Sequence, residues 1–155
     1  SPTARQYIAG LLRYAPELML VTNQWVNSYK RLVPGTEAPM YVTWSPRNHS
    51  DLVRVPELKP GSADSSRIEY RVPDAAANPY LAFAAVLAAG LDGIEQNQPL
   101  PAPVLSATDQ LSPEEVERRG LGGLFGALRE VLTDQVHAVT GHHRHDMKRA
   151  ARNSA

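Results

Sequence analysis

"RIEYRVPDAAANPYLAFAAVLAAGLDGIE", residues 67–95, is the stretch on which the fold turns. It opens as a strand and closes as a helix. Arg67, Glu69 and Arg71 alternate with Ile68, Tyr70 and Val72, and successive side chains of a strand point to opposite faces. One face is therefore charged and the other apolar. Asn78 is a natural N-cap and Pro79 suits the first helical position. From Tyr80 to Ile94 the chain is apolar nearly all round, which predicts a buried helix over 79–94 that braces the strand. The charged face has two readings. It is a solvated strand face with charge pairs, or it lines a cleft that holds both a cation and an anion.

Working outward, "ARQYIAGLLRYA", 4–15, places Tyr7, Ile8, Leu11, Leu12 and Ala15 on one helical stripe, with Pro16 to stop or kink it. "MYVTW", 40–44, and "DLVRV", 51–55, carry the β-branched and aromatic residues of short strands. "ELKPGSADSS", 57–66, is turn chemistry. "NQPLPAPVLSATDQ", 97–110, holds three prolines and reads as an extended linker across a surface. "SPEEVERRG", 112–120, has a Ser112 cap, acids in its first turn and bases near its end, which suits the helix dipole. A further helix is expected over 122–139, followed by a tail poor in apolar residues and expected to be mobile.

Composition narrows the partners. The 155 residues suit one domain or a large piece of one, and 43% are hydrophobic, enough for a core. Lys+Arg and Asp+Glu are both 16, so a net charge of zero gives no reason to expect nucleic acid or an anionic membrane. The absence of cysteine excludes disulfides and thiolate metal sites and is compatible with a reducing compartment. The longest apolar run, 80–91, falls short of the roughly 20 residues that span a bilayer, and no secretory signal is read.

Three constellations carry possible chemistry, each beside a plainer reading. In "NSYKRLVPGTEAP", 27–39, Lys30 and Arg31 precede a Pro34-Gly35 turn and Glu37. An acid on such a loop is placed to close over a site or accept a proton; the same pattern also makes an ordinary surface turn. In "WSPRNHSDLVR", 44–54, Arg47, His49 and Arg54 suit phosphate or carboxylate recognition, or are solvated groups beside a turn. Glu69 between Arg67 and Arg71 suits a hard-cation ligand flanked by anion binders, because Mg²⁺ takes carboxylate and phosphate oxygens. His142, His143 and His145 offer transition-metal ligands, but a His-rich tail is more readily incidental. Asn48-His49-Ser50 fits a glycosylation sequon and is read as chance. No glycine-rich phosphate loop, no Ser-His-Asp order and no basic stripe with interleaved aromatics is found.

Taken in order, "NSYKRLVPGTEAP", "WSPRNHS" and "RIEYRVPDAAANPYLAFAAVLAAGLDGIE" resemble the C-terminal part of the catalytic domain of glutamine synthetase. The resemblance runs from about Thr3 to Glu95, with a weaker echo in "LSPEEVERRG" and "GALREV". It implies an α/β fold of the α+β kind: antiparallel strands of an incomplete catalytic barrel packed on apolar helices. Residues 1–133 would be the catalytic portion and 134–155 a divergent tail. The implied activity is ATP-dependent ligation of glutamate to ammonia or a primary amine through γ-glutamyl phosphate, with Mg²⁺ or Mn²⁺. The implied setting is a cytoplasmic homo-oligomer of stacked hexameric rings. By the same resemblance, Glu37 is the flap acid that helps deprotonate the ammonium and Arg31 holds the glutamate carboxylate. Arg54 and Arg67 lie at the nucleotide, Glu69 is a metal ligand, and Arg71 contacts substrate and phosphoryl group.

The departures are informative. His49 stands where the family usually has a phosphate-binding arginine; histidine is single-pronged and mostly neutral near pH 7, so nucleotide binding there is expected to be altered. The tyrosine that is adenylylated in many bacterial members would fall near Asp109, so that control is expected to be absent. The tail after Thr133 does not follow the family's C-terminal helices. The family's N-terminal domain and its other metal ligands precede the matched region, so this chain alone is expected to be an incomplete, inactive site. The alternative is a non-catalytic relative serving as an oligomerising or regulatory module.

Overall fold

The computed structural model describes residues 1–33, 36–57 and 66–140, with backbone alone for 134–140. The Pro34-Gly35 turn, most of the 57–66 turn and the histidines of the tail lie outside the described residues. The first helix, α1, spans Pro2–Arg13; Ser1 caps it by accepting from the Ala4 N–H at 3.2 Å. Ile8, Leu11 and Leu12 are buried on its inner stripe and Ala15 follows them into the core, as their spacing predicts. Pro16 does end α1, but it does so from the first turn of a second helix, α2 (Ala15–Thr22), which periodicity had not shown. A short α3 (Val26–Lys30) follows.

Three strands of two residues each make a sheet: β1 (Trp44–Ser45), β2 (Val53–Arg54) and β3 (Glu69–Tyr70), with β2 central. β3 pairs antiparallel with β2, setting Arg54 opposite Glu69 and Val53 opposite Tyr70. β1 runs parallel to β2, which corrects the expectation of antiparallel strands. The cause is the 46–52 segment, which loops out and returns instead of forming a hairpin. Ser45 Oγ accepts from the Arg47 and Asn48 N–H groups, both at 3.2 Å, and starts the loop. Asn48 Nδ2 then donates to the Val104 and Ser106 carbonyls at 3.1 and 2.7 Å. Parallel pairing usually needs a crossover of about a dozen residues or more; a two-residue ladder needs less. The predicted strand 40–44 is divided. Tyr41 bridges Gly123, and only Trp44 joins the sheet.

The fourth helix, α4 (Pro79–Glu95), is capped by Asn78 Oδ1, which accepts from the Tyr80 and Leu81 N–H groups. It lies against α1 with its small residues inward. A Cβ on Gly10 would stand 2.9 Å from the Gly93 Cα, and one on Gly93 would stand 2.6 Å from the Gly10 Cα, so the two helices meet backbone to backbone. The expectation that α4 is buried all round is corrected. Ala82, Ala89, Gly90 and Gly93 are buried, whereas Tyr80 is 84% and Phe83 75% exposed, with Leu87 and Leu91 on the same outward stripe. An all-apolar sequence marks a helix that two layers cover, and these residues supply one of them.

The 97–110 linker is fastened down rather than merely laid across. Trp44 Nε1 donates to the Pro101 carbonyl at 2.8 Å, and Thr108 bonds to both the hydroxyl and the carbonyl of Ser50. A 3₁₀ turn at Thr108–Gln110 leads to α5 (Pro113–Arg118), capped by Ser112, and then to α6 (Leu124–Thr140). The core joins Leu11, Met19, Leu52, Val53, Val72, Leu124 and Leu128 from α1, α2, the sheet with its flanking residues, and α6. No helix of the described residues is long and apolar enough to cross a membrane.

Candidate functional site

The β2–β3 register creates the first feature. Arg54 Nη1 donates to Glu69 Oε2 at 2.8 Å, and Arg67 Nε approaches Oε1 at 3.3 Å. Both are pairs on one strand face, and opposite charges facing across strands attract. The Arg54 hydrogen bond, followed by the nearby charges of Arg54 and Arg67, holds the Glu69 carboxyl below the ordinary carboxylate range. Ile68 and Tyr70 turn to the other side and pack against the core. The Tyr70 hydroxyl is buried, which pushes its ionisation far up. Beyond Arg67 an open cleft of about 610 Å³ runs between the start of α1 and Val55, Pro56 and Ile68.

The second feature lies where β3 runs on. The Arg71 N–H donates to the Leu52 carbonyl at 3.0 Å, and its guanidinium Nη2 donates to the Glu37 carbonyl at 3.1 Å. The loop that carries Glu37 is thus held by a residue of the charged strand face. Arg31, just past α3, donates through Nη2 to the Val72 carbonyl at 2.7 Å. The structure therefore brings together Arg54, Arg67 and Glu69 directly, and Arg31, Glu37 and Arg71 through two backbone carbonyls.

Other sequence-predicted residues are placed apart. Arg47 pairs with Glu57 at 2.9 Å on the surface, both well exposed, so it belongs to the plainer reading. His49 is exposed at the crest of the 46–52 loop. The Glu37 side chain is exposed as well, and its carbonyl rather than its carboxylate is what Arg71 holds.

Sequence reasoning missed a buried polar group at this site. Thr22 and Asn23, at the end of α2, are 0% and 1% exposed. Asn23 Nδ2 donates to the Val72 carbonyl at 3.1 Å. Asp51 was missed too. It is fully buried in the loop before β2, and among the described residues neither of its carboxyl oxygens nor the nearby Thr43 Oγ1 has a hydrogen-bond partner. Burial pushes its pKa up; the Thr43 hydroxyl and Asn48 amide, near the carboxyl but outside good hydrogen-bond geometry, oppose the shift, and the charge of Asp109 adds to it. A polar pair closing an apolar helix was the one available signal, since a buried polar group has to find partners.

Divalent-cation chemistry needs several converging oxygens. Among the described residues no three His, Cys, Asp or Glu side chains converge, and the Glu69 oxygens already accept from guanidiniums. These residues do not make a cation site by themselves, since Glu69 is a single carboxylate.

Comparisons with known proteins agree on a single family. A family model described as glutamine synthetase, catalytic domain, matches residues 1–139. A glutamine synthetase of Methanocaldococcus jannaschii is 46% identical over 140 residues, covering 88% of this chain and 30% of its own length. One of Mycobacterium tuberculosis is 50% identical over 122 residues, covering 79% of this chain and 27% of its own. Among solved structures, a cryo-EM glutamine synthetase of Plasmodium falciparum matches with TM-score 0.65 and 34% identity, over 68% of this chain and 20% of that one. The chain thus spans about 30% of the length of the curated relatives it matches.

Proposed function

Because this chain belongs to the glutamine synthetase family, we propose that its residues form part of the site of an ATP-dependent carbon–nitrogen ligase. The reaction joins glutamate to ammonia, or to a primary amine, through γ-glutamyl phosphate. The observation that supports this best is the pairing of Glu69 with Arg54 and Arg67 on the strand face that also bears Arg71. A transferring phosphoryl group spreads negative charge over its oxygens, and positioned guanidiniums stabilise it. Arg54 and Arg67 are assigned to the nucleotide, and His49 to a weaker contact there. Arg31 receives the carboxylate of glutamate, and Arg71 contacts glutamate and the phosphoryl group. Glu69 is the one carboxylate offered to Mg²⁺ or Mn²⁺, the remaining ligands coming from other residues. A bound divalent cation supplies charge neutralisation at the phosphates. Glu37 accepts the proton that an ammonium must lose before it attacks. The catalytic portion is taken as 1–133 and 134–155 as a divergent tail, in a cytoplasmic homo-oligomer whose larger barrel extends this sheet. The sharing of ligands with other residues is also why these residues alone are assigned no activity.

The test is amide formation by the full-length polypeptide from glutamate and ATP, with ammonia and with hydroxylamine compared as nucleophiles. Glu69→Ala is expected to lower both rates at least a hundredfold; near-normal turnover would remove Glu69 from the site. Hydroxylamine is largely neutral at pH 7 and ammonia largely protonated. Glu37→Ala should therefore slow the ammonia reaction at least tenfold more than the hydroxylamine reaction. Equal losses would reject Glu37 as the base. A second reading, a non-catalytic oligomerising or regulatory module, draws on the lack of three converging metal-ligating side chains among the described residues. Absence of ATP binding by the full-length polypeptide would favour it.

A further inference from the structure

The Val72 carbonyl accepts from two donors on different elements, Asn23 Nδ2 at 3.1 Å and Arg31 Nη2 at 2.7 Å. A carbonyl oxygen has two lone pairs, and both are engaged. The orientation of the Asn23 amide follows from its neighbours. Val72 O can only accept, so the nitrogen of the amide faces it. Asn23 Oδ1 then lies 2.9 Å from the Thr22 hydroxyl, whose proton is shared with the Leu18 carbonyl at 2.8 Å. The Asn23 backbone N–H donates to the Met19 carbonyl at 2.9 Å and closes α2. Asn23 is therefore anchored on three sides and buried, whereas the guanidinium of the exposed Arg31 has one hydrogen bond among the described residues, to the same carbonyl. One residue before Val72, Arg71 reaches back to the Glu37 carbonyl.

We propose that Asn23 is a positioning residue for substrate recognition: by fixing the Val72 carbonyl on which Arg31 rests, it sets the spacing between the guanidiniums of Arg31 and Arg71. The ligand that this spacing measures is an amino dicarboxylate, held at one carboxylate by Arg31 and near the other by Arg71. The inference rests on the reading above that these two arginines face glutamate. It predicts that Asn23 governs the affinity for glutamate and leaves that for the nucleotide alone, since Arg54 and Arg67 hang from the β2–β3 register and not from Val72.

The experiment titrates the full-length polypeptide by calorimetry in magnesium buffer, separately with glutamate and with a non-hydrolysable ATP analogue. Asn23→Ser removes the amide donor, and Thr22→Val is the milder variant should Asn23→Ser fail to fold. Asn23→Ser should weaken glutamate binding about tenfold, equivalent to about 1.4 kcal/mol, with nucleotide affinity within about twofold of the unaltered protein. Thr22→Val should shift glutamate binding in the same direction by less. Parallel weakening of both ligands, or unchanged glutamate affinity, would overturn the proposal. A ligand-free readout separates it from the reading beneath it. The Arg31 Nε–H resonance should broaden or shift in Asn23→Ser while that of Arg54 stays in place, and an unmoved Arg31 resonance overturns the positioning role. If the unaltered protein binds no glutamate while Asn23→Ser still moves the Arg31 resonance, the positioning role stands and the functional reading alone fails.

Discussion

Asp51 sits fully buried with a carboxyl group that lacks a hydrogen-bond partner among the described residues. Burying an unpaired charge is costly, so the group holds its proton to higher pH than an exposed aspartate does. In the unfolded chain it titrates near the ordinary aspartate value of about 3.9. Above that pH the unfolded state releases a proton that the folded state keeps, so Asp51 lowers stability progressively as pH rises toward its folded pKa. Asp51→Asn keeps the shape and removes the charge. It should raise stability more at pH 7 than at pH 4, by on the order of 1 kcal/mol between the two. Urea unfolding at the two pH values measures it, and an equal gain at both would contradict the account. Glu69 has the opposite sign. Its pKa is lowered mainly by Arg54, so its contribution is present above the ordinary carboxylate range and fades as pH falls through its folded pKa. At this scale the alternation of Arg67, Glu69 and Arg71 was legible because a strand has a period of two. Asn23 and Asp51 were not, because nothing local in a sequence says that a polar side chain will be enclosed by elements distant along the chain.

At the scale of elements, two glycines in helices have opposite meanings. Gly93 lies in α4 where a Cβ would meet the α1 backbone at Gly10. Backbone cannot rotate aside as a side chain can, so Gly93→Ala should destabilise by about 1–3 kcal/mol or more. Gly126 lies in α6 with nothing among the described residues within 4 Å of a Cβ, and there alanine should stabilise by about 0.5–1 kcal/mol through lower backbone entropy in the unfolded chain. Thermal unfolding of the two variants checks the pair; a shift of the same sign in both would refute the distinction. The start of α4 was readable from Asn78-Pro79, since capping is local chemistry. The existence of α2 was hidden because Pro16 reads equally as the end of one helix or the first turn of the next. The exposed stripe of α4 was misjudged because apolarity reports that a face is suited to burial, and says nothing about which residues do the burying.

Across the whole molecule, one core ties early and late segments together. Leu11, Leu52, Val72 and Leu124 come from α1, the sheet region and α6, and each is fully buried. Leu124→Ala should cost about 2–5 kcal/mol. Because the core is shared, the loss should appear as one transition, with the fluorescence of Trp25 and Trp44 and far-ultraviolet dichroism of the helices changing together. Two separated transitions would show that α6 unfolds on its own. The family resemblance reached the α/β class and sequence pattern the strand-then-helix order of residues 67–95, but neither reached the direction of β1. That direction depends on the hydrogen bonds by which residues 104–108 fasten the 46–50 loop, and such long-range fastenings have no periodicity. The backbone contact between Gly10 and Gly93 carries a further consequence for how this protein can be altered. Most helix joints adjust to change because side chains at the seam exchange rotamers and absorb small shifts. At the Gly10–Gly93 crossing this joint has no side chains to exchange, so the approach of α4 to α1 at that point is not adjustable by repacking. Selection for a new substrate in the laboratory should therefore accumulate its successful changes in the loops around Glu37 and His49, and few in the helices beneath them.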